Sequence, residues 1–423
     1  MVHLKTIVAR IMNEITFPLD IKSLEVVSQR VDSKGNIVLK VRSESDHSTC
    51  HKCGKPATKL NGQAPMRRIQ HLPIFEKPVY LEIVPVRYIC EQCDDGPTTT
   101  EQYDWVDRNA SISRGLEAYI LRSVINSTVQ DVSIKLGLGY KVIEATLDRL
   151  VAAEVDWSGF ISLDTLGIDE IALKKGHDSY MTIVSVRQED EKLRVVAVLD
   201  GRDKVGVKSF FESIPSALRE TVKTVCTDMH DGYVYAATEV FGTQAVVVDR
   251  YHVAKLYRKP LDTLRIKEMV RLKAELDEEE YAKLDGMMWI LRKKHECLSA
   301  EDKSALALLY QYSPELKKAH RYALKLTCIF NTHSNRKSGL AKFNRWITAV
   351  EKSGLACFRS FISTLKEYMP FIANYFKGRK TSGFVEGLNN KIKVIKRRCY
   401  GLSKIETVFR RLFLDLQGFE IYA

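Results

Sequence analysis

The stretch Leu166–Leu173, LGIDEIAL, sets Asp169 and Glu170 inside an otherwise apolar run. Short apolar runs bounded by turn residues read as buried strands. A carboxylate inside such a strand is costly unless it is paired or bound to a cation. Two similar runs follow, SYMTIVSV (Ser179–Val186) and LRVVAVLD (Leu193–Asp200). The period then changes. VGVKSFFESIP (Val205–Pro215) reads as helix, VKTVCTD (Val222–Asp228) as strand, MHDGYVYAATEVF (Met229–Phe241) as helix and QAVVVD (Gln244–Asp249) as strand. Three strands followed by alternating helix and strand predict a mixed sheet flanked by helices.

That order, β-β-β-α-β-α-β, is what an RNase H-like fold requires, and there the first and fourth strands are neighbours. Asp169 on the first and Asp228 at the end of the fourth would face one point. A third acid lies far downstream. FVEGLNNKIKVIKRR (Phe384–Arg398) holds Glu386, five Lys or Arg and no other acid. At about 100° per residue, Val385, Leu388, Ile392 and Ile395 form one apolar arc, the core-facing stripe. Glu386, Asn390, Lys393 and Arg397 fall opposite. A solvated face accounts for that pattern; so does a face presenting one metal-binding carboxylate, and cations beyond it, to a polyanion. Three converging acids repel unless a cation compensates them, and oxygen ligands suit Mg²⁺ or Mn²⁺. Two such ions activate an attacking oxygen and stabilise a departing one in phosphodiester chemistry. Taken singly, Asp169 and Asp228 also have capping or salt-bridge readings, and Glu170 and Asp231 are rival ligands.

The bulk numbers favour an acidic partner. The 423 residues carry a net charge of +12 with a sequence pI near 9.1, the balance expected of nucleic-acid or anionic-surface binding. The excess is local: between Lys377 and Arg411, eleven Lys or Arg meet two acids. No run approaches roughly 18 uninterrupted apolar residues, so no membrane span is expected. Lys5, Arg10 and Glu14 interrupt the N-terminus, which argues against a signal peptide and for a cytoplasmic protein.

Nine cysteines in a reducing compartment point to metal or isolated thiols. Cys50-x-x-Cys53 and Cys90-x-x-Cys93, 36 residues apart, can supply four thiolates to a structural Zn²⁺. His47, His51 and His71 are alternative ligands but read as surface residues. The other cysteines lack paired spacing and read as packed thiols. VDSKGNIVLKVRS (Val31–Ser43) predicts a hairpin turning at Lys34-Gly35-Asn36, and VYLEIVPVRYIC (Val79–Cys90) alternates similarly. In STVQDVSIKLGLGYKVIEATLDRLV, Thr128 and Asp131 mark a helix start, and Gly137-Leu138-Gly139 separates that helix from one beginning at Tyr140. With a helix around Leu116–Ile125, this predicts a helix-turn-helix, although a plain supporting hairpin fits the same pattern. Residues from Tyr251 to Phe376 read as almost wholly helical, with a start at Ser313-Pro314-Glu315 and a break at EKSGL (Glu351–Leu355).

Taken together, these motifs resemble the DDE insertion-sequence transposases of the ISL-three family, in family order and over essentially the whole chain. They are the cysteine pairs, the helix-turn-helix, GIDEIALKKGHDSYMTIV, GRDKVGVKSFF, CTDMHDGY, VVDRYHVAKL and SGFVEGLNNKIKVIKRRCYG. The resemblance implies an α/β multidomain protein. An RNase H-like catalytic core, in residues 158–250 and 377–423, would be interrupted by an all-α insertion over 251–376. In front would stand a β-rich zinc-binding module (1–105) and a helix-turn-helix (106–157). It implies Asp169, Asp228 and Glu386 as the catalytic, Mg²⁺- or Mn²⁺-holding acids. Asn390, Lys391, Lys393, Lys396, Arg397 and Arg398 are expected on DNA, and Asp249 and His252 of DRYH as accessory residues. Trp289 and Trp346 read as core residues, with stacking on a displaced base as the alternative. The expected activity is cleavage and strand transfer at terminal inverted repeats by a dimer or larger assembly on double-stranded DNA. A non-catalytic DNA-binding regulator and an RNase H-like nuclease or resolvase without strand transfer remain as rivals.

Overall fold

The structure, a computed structural model, describes residues 19–172, 180–188, 192–379, 383–399, 402 and 404–422; the side chains of Phe384, Val385 and Glu386 lie outside the described set. The chain forms two compact units, Met1–Leu147 with Gly418–Ala423, and Asp148–Gln417.

In the first unit, strands β1 (Leu24–Val31) and β2 (Ile37–Ser43) form the expected hairpin. Its turn is closed by Asp32, whose Oδ1 accepts from the N–H of Lys34 and of Asn36, both at 3.0 Å. Short strands β3 (Ser48–Thr49) and β4 (Pro56–Ala57) pair with each other, and β5 (Lys59–Gln63), β6 (Arg67–Ile74), β7 (Lys77–Ile83), β8 (Val86–Ile89) and β9 (Thr98–Thr100) follow. The sheets run β1-β2-β7-β6 and β5-β8-β9. The alternation of Val79–Cys90 is therefore divided between two sheets. Pro85, which has no N–H to give a ladder, lies between β7 and β8.

Helices α1 (Arg114–Val124), α2 (Val129–Leu136) and α3 (Tyr140–Leu150) match the predicted helix-turn-helix. Thr128 caps α2 by accepting from Asp131 N–H at 2.9 Å. Gly137 ends it at φ 61°, a left-handed conformation that glycine adopts at little cost.

The second unit is built on β10 (Thr165–Ala172), β11 (Tyr180–Arg187), β12 (Leu193–Asp200), α4 (Lys204–Ser213), α5 (Ser216–Arg219), β13 (Thr224–Thr227), α6 (Asp231–Phe241) and β14 (Val246–Val248). The sheet order is β12-β11-β10-β13-β14, with β10 parallel to β13 and antiparallel to β11. Both faces are covered, which explains the nearly continuous apolar strands. Leu166, Ile168, Val184 and Val186 face a core shared with Phe211 of α4 and Tyr233 of α6. Ile171, Met181 and Ile183 face Leu388, Ile392 and Ile395.

Those last three belong to α14 (Gly383–Arg398), the final elements being α14 and α15 (Ile405–Tyr422). Between β14 and α14 the described chain is helical: α7 (Arg250–Glu275), α8 (Glu278–Ala282), α9 (Met287–Ile290), α10 (Ala300–Tyr312), α11 (Pro314–Asn331), α12 (Arg336–Lys352) and α13 (Arg359–Gly378), with short 3₁₀ turns. Asn374 ties α13 to the sheet. It donates to Thr243 O and Val246 O, both at 2.8 Å, and accepts from Arg336 Nε at 2.9 Å. Gly339 of α12 lies flat against the Phe376 ring, where any Cβ would collide. Trp346 is buried as expected, but Trp289 is 63% exposed, with the Arg292 guanidinium over its ring.

Candidate active site and zinc centre

Register brings the two aspartates together. Gly167 of β10 pairs with Cys226 of β13. Asp169 and Asp228 each lie two residues further along, at the same level of neighbouring parallel strands, which run roughly 4.8 Å apart. Both are half-buried. Burial raises the pKa of Asp169, and the charge of Asp228 adds to the rise. Asp228 is raised by burial too, while the His230 N–H and the nearby His252 act against it. Asp169 Oδ1 accepts from Glu170 N–H at 2.7 Å, and Asp228 Oδ1 from His230 N–H at 3.0 Å. These are two anions drawn out of water next to each other, with two backbone donors and two imidazoles, His230 and His252, as partial compensation.

The rival ligands have other partners. Strand alternation turns Glu170 to the opposite face from Asp169, where it meets Arg202 at 3.3 Å. Asp231 accepts from the Tyr368 hydroxyl of α13. Asp249 is buried and caps α7, accepting from Tyr251 N–H at 3.1 Å. His252, half-buried one turn further on, is close enough to act on both aspartates.

The third expected acid, Glu386, is on α14, but its side chain lies outside the described set. Leu388, Ile392 and Ile395 are buried at 3%, 1% and 2% exposure, so α14 is seated on the sheet face to which Asp169 points. Asn390, Lys391, Lys393 and Arg397 are exposed. Lys396 instead donates to Ala172 O at the end of β10, and Arg398 pairs with buried Asp415. The sequence pattern did not single out Asn389. It is 6% exposed and donates through Nδ2 to Asp169 Oδ2 at 2.5 Å.

Whether a divalent cation suits this place can be judged from the polar atoms around it. Among the described residues, Asn389 Oδ1, on the amide that meets Asp169, is buried without a hydrogen-bond partner. Such an atom costs about 1–3 kcal/mol if left unsatisfied. This oxygen and two carboxylates of raised pKa are a set that a hydrated Mg²⁺ or Mn²⁺ fits.

The cysteines converge in the first unit. Cys50, Cys53, Cys90 and Cys93 have Sγ atoms all within 4.8 Å of one another, with Cys53–Cys90 at 3.6 Å and Cys90–Cys93 at 3.8 Å. A tetrahedron of Zn–S bonds of about 2.3 Å has edges of about 3.8 Å, so the spacing fits zinc. Each pair sits on a tight turn. Gly54 N–H reaches Cys50 O at 2.9 Å and Gly96 N–H reaches Cys93 O at 3.0 Å. The backbone N–H groups of Cys53 and Lys52 hold the Cys50 thiol down at about 6. A hydrogen bond with the Cys53 thiol, and then burial, push the Cys93 thiol up to about 12; a bound cation would favour the thiolate instead.

His47 is exposed beside Asp46, and His51 accompanies Thr99. His71, expected at the surface, is instead buried on β6 with Nδ1 2.7 Å from the Ser113 hydroxyl. Cys297 and Cys328, read as packed thiols, are exposed, whereas Cys226 is buried.

Three family models match successive parts of the chain. The profile described as "Transposase" for the ISL3 DDE group matches residues 166–412. The helix-turn-helix domain of transposase family ISL3 matches 101–151, and the zinc-finger of transposases IS204/IS1001/IS1096/IS1165 matches 46–93. The transposase of insertion sequence element IS1001 from Bordetella parapertussis is 29% identical over 376 residues, 87% of this chain and 89% of that protein. The transposase of IS1557 from Mycobacterium tuberculosis is 21% identical over 419 residues, 94% of this chain and 92% of that protein. With a transposase profile spanning more than half of its length, the chain belongs to the ISL3 family of DNA-binding transposases.

Proposed function

We propose that the second unit is an RNase H-like DDE core, interrupted by an all-α insertion between β14 and α14. It would catalyse divalent-metal-dependent cleavage and strand transfer at the terminal inverted repeats of an insertion sequence. One observation carries this: the β10–β13 register sets Asp169 and Asp228 side by side, with the helix bearing Glu386 packed over the same face. Asp169, Asp228 and Glu386 hold the ions. Two Mg²⁺ or Mn²⁺ ions, when bound, supply the positive charge that activates the attacking oxygen and stabilises the leaving one.

The chain's own residues do the rest. The exposed Lys393 and Arg397, about two and three turns beyond Glu386 on α14, neutralise backbone phosphates and fix the strand in line. Water attacks phosphorus, the bond to the 3′ oxygen breaks, and a 3′-OH is released. That hydroxyl then attacks a target phosphodiester, displacing the target's own 3′ oxygen. The zinc module and helix-turn-helix select the ends, with the exposed side of α3 (Tyr140, Lys141, Glu144) offered to the major groove. A dimer or larger assembly in the bacterial cytoplasm would pair the two ends.

The test is nicking of labelled terminal-repeat duplex in Mg²⁺ or Mn²⁺. Asp169→Ala, Asp228→Ala and Glu386→Ala should each abolish nicking while end binding persists. Cleavage at wild-type rate by all three would refute the assignment. Nicks without joined products would favour a nuclease, and no metal-dependent nicking by the wild type would favour a regulator.

A further inference from the structure

We propose that Asn389 is a further member of the ion-binding set: its amide N–H holds the Asp169 carboxylate in place, and its carbonyl oxygen offers the divalent cation a neutral donor. This rests on the reading of Asp169 as an ion-binding acid.

The orientation of the amide is fixed by chemistry. Nδ2 lies 2.5 Å from Asp169 Oδ2, and only the N–H side of an amide can face a carboxylate at that distance. The carbonyl must then point elsewhere. It is buried, and among the described residues it meets no donor. A second buried asparagine in the same unit provides the contrast. Asn374 joins α13 to the sheet with both amide hydrogens and its oxygen engaged by protein groups. That is how an asparagine serving only to pack two elements is expected to look. Asn389 is nearly as buried, at 6% against 2% exposure, yet its carbonyl oxygen is unused, on an amide bonded to Asp169.

The oxygen is also of the right kind. Mg²⁺ and Mn²⁺ take hard oxygen donors, neutral amide carbonyls among them, and a neutral donor adds no repulsion to a site with several acids. Asn389 is three residues beyond Glu386 on α14, the spacing that places two side chains on adjoining parts of one helix face. The helix that bears Glu386 therefore also presents the Asn389 amide to β10. With Glu170 N–H on Asp169 Oδ1 at 2.7 Å and Asn389 on Oδ2, both oxygens of the carboxylate are held in direction while lone pairs remain for a cation.

The test is Mn²⁺ titration of the full-length protein without DNA, read by electron paramagnetic resonance, alongside melting temperature with and without Mn²⁺. Asn389→Ala should weaken Mn²⁺ binding by about tenfold or more. Asn389→Asp keeps an oxygen but loses the N–H. It should melt lower without metal, because two carboxylates then face each other, and regain Mn²⁺ affinity to within about threefold of wild type. Asp169→Ala is run beside them. If it loses Mn²⁺ while Asn389→Ala binds normally, Asn389 only packs α14 and the proposal falls. If Asp169→Ala also binds normally, the ion-site reading itself fails. Should the Asn389 variants not fold, wild-type crystals soaked in Mn²⁺ decide. An anomalous peak at Asp169 adjoining Asn389 Oδ1 is expected, and a peak there with that oxygen turned away overturns the proposal.

Discussion

Asp169 and Asp228 place two carboxylates where the fold partly removes water and gives each the other's charge. Without divalent ions this is a local debit. Asp228→Asn should therefore raise the metal-free melting temperature of the second unit, by on the order of 1 kcal/mol or roughly 2–4 °C. It should also abolish the stabilisation that Mn²⁺ gives the wild type. Differential scanning fluorimetry with and without Mn²⁺ checks both, and a variant that still gains from Mn²⁺ would remove Asp228 from the ion site. His71 is a residue-scale case of opposite chemistry. Burial holds its pKa below the ordinary value, so the folded form keeps the ring neutral while the unfolded chain takes up a proton near about pH 6.5. Stability is intact above that pH and is lost as pH falls through it toward the lower folded value. Hydrogen exchange should find β6 and β7 less protected at pH 5.5 than at 7.5, and His71→Asn should shrink the difference.

Elements show how far a helical wheel can be trusted. The apolar stripe of α14 and the caps of α2 were legible because each depends on local spacing: Leu388, Ile392 and Ile395 are all buried, and Thr128 and Gly137 bound α2 as expected. Asn389 was not legible. On the wheel it falls between the apolar and polar arcs, and what buries it is a distant strand. The cations of α14 divide for the same reason. Lys391, Lys393 and Arg397 face solvent, whereas Lys396 reaches the end of β10 and Arg398 meets Asp415. On binding terminal-repeat DNA, Lys393→Ala and Arg397→Ala should each reduce the slope of log affinity against log salt by about 1. Arg398→Ala should leave the slope unchanged and lower the melting temperature instead, since it removes one of the two guanidinium groups, Arg398 and Arg411, that pair with buried Asp415. Equal slope changes at all three positions would show that Arg398 leaves Asp415 on binding DNA.

At the scale of the whole molecule, each unit has its own means of holding together. The sheet unit was readable from strand order, because a β-β-β-α-β-α-β chain leaves few ways to cover both faces of one sheet. The helical run after β14 was readable as helix, but not its seating, which depends on contacts such as Asn374 to Val246 and Gly339 against Phe376. The first unit was readable chiefly through its cysteines, and there the reason is size: short strands such as β3, β4 and β9 enclose only a small apolar cluster of Ala57 and Tyr88 around Cys50 and Cys90. Clusters of that size need a staple. Metal chelation at pH 7.5 should therefore open residues 46–100 to limited proteolysis and release about one zinc per chain. A fragment beginning near Asp148 should stay resistant, because its core consists of side chains alone. Zn²⁺ added back should restore protection, and Cys90→Ser should mimic chelation without responding to added metal. If the 46–100 segment stayed protected after complete zinc loss, hydrophobic packing would suffice there and the cysteine tetrad would have a role other than holding the fold.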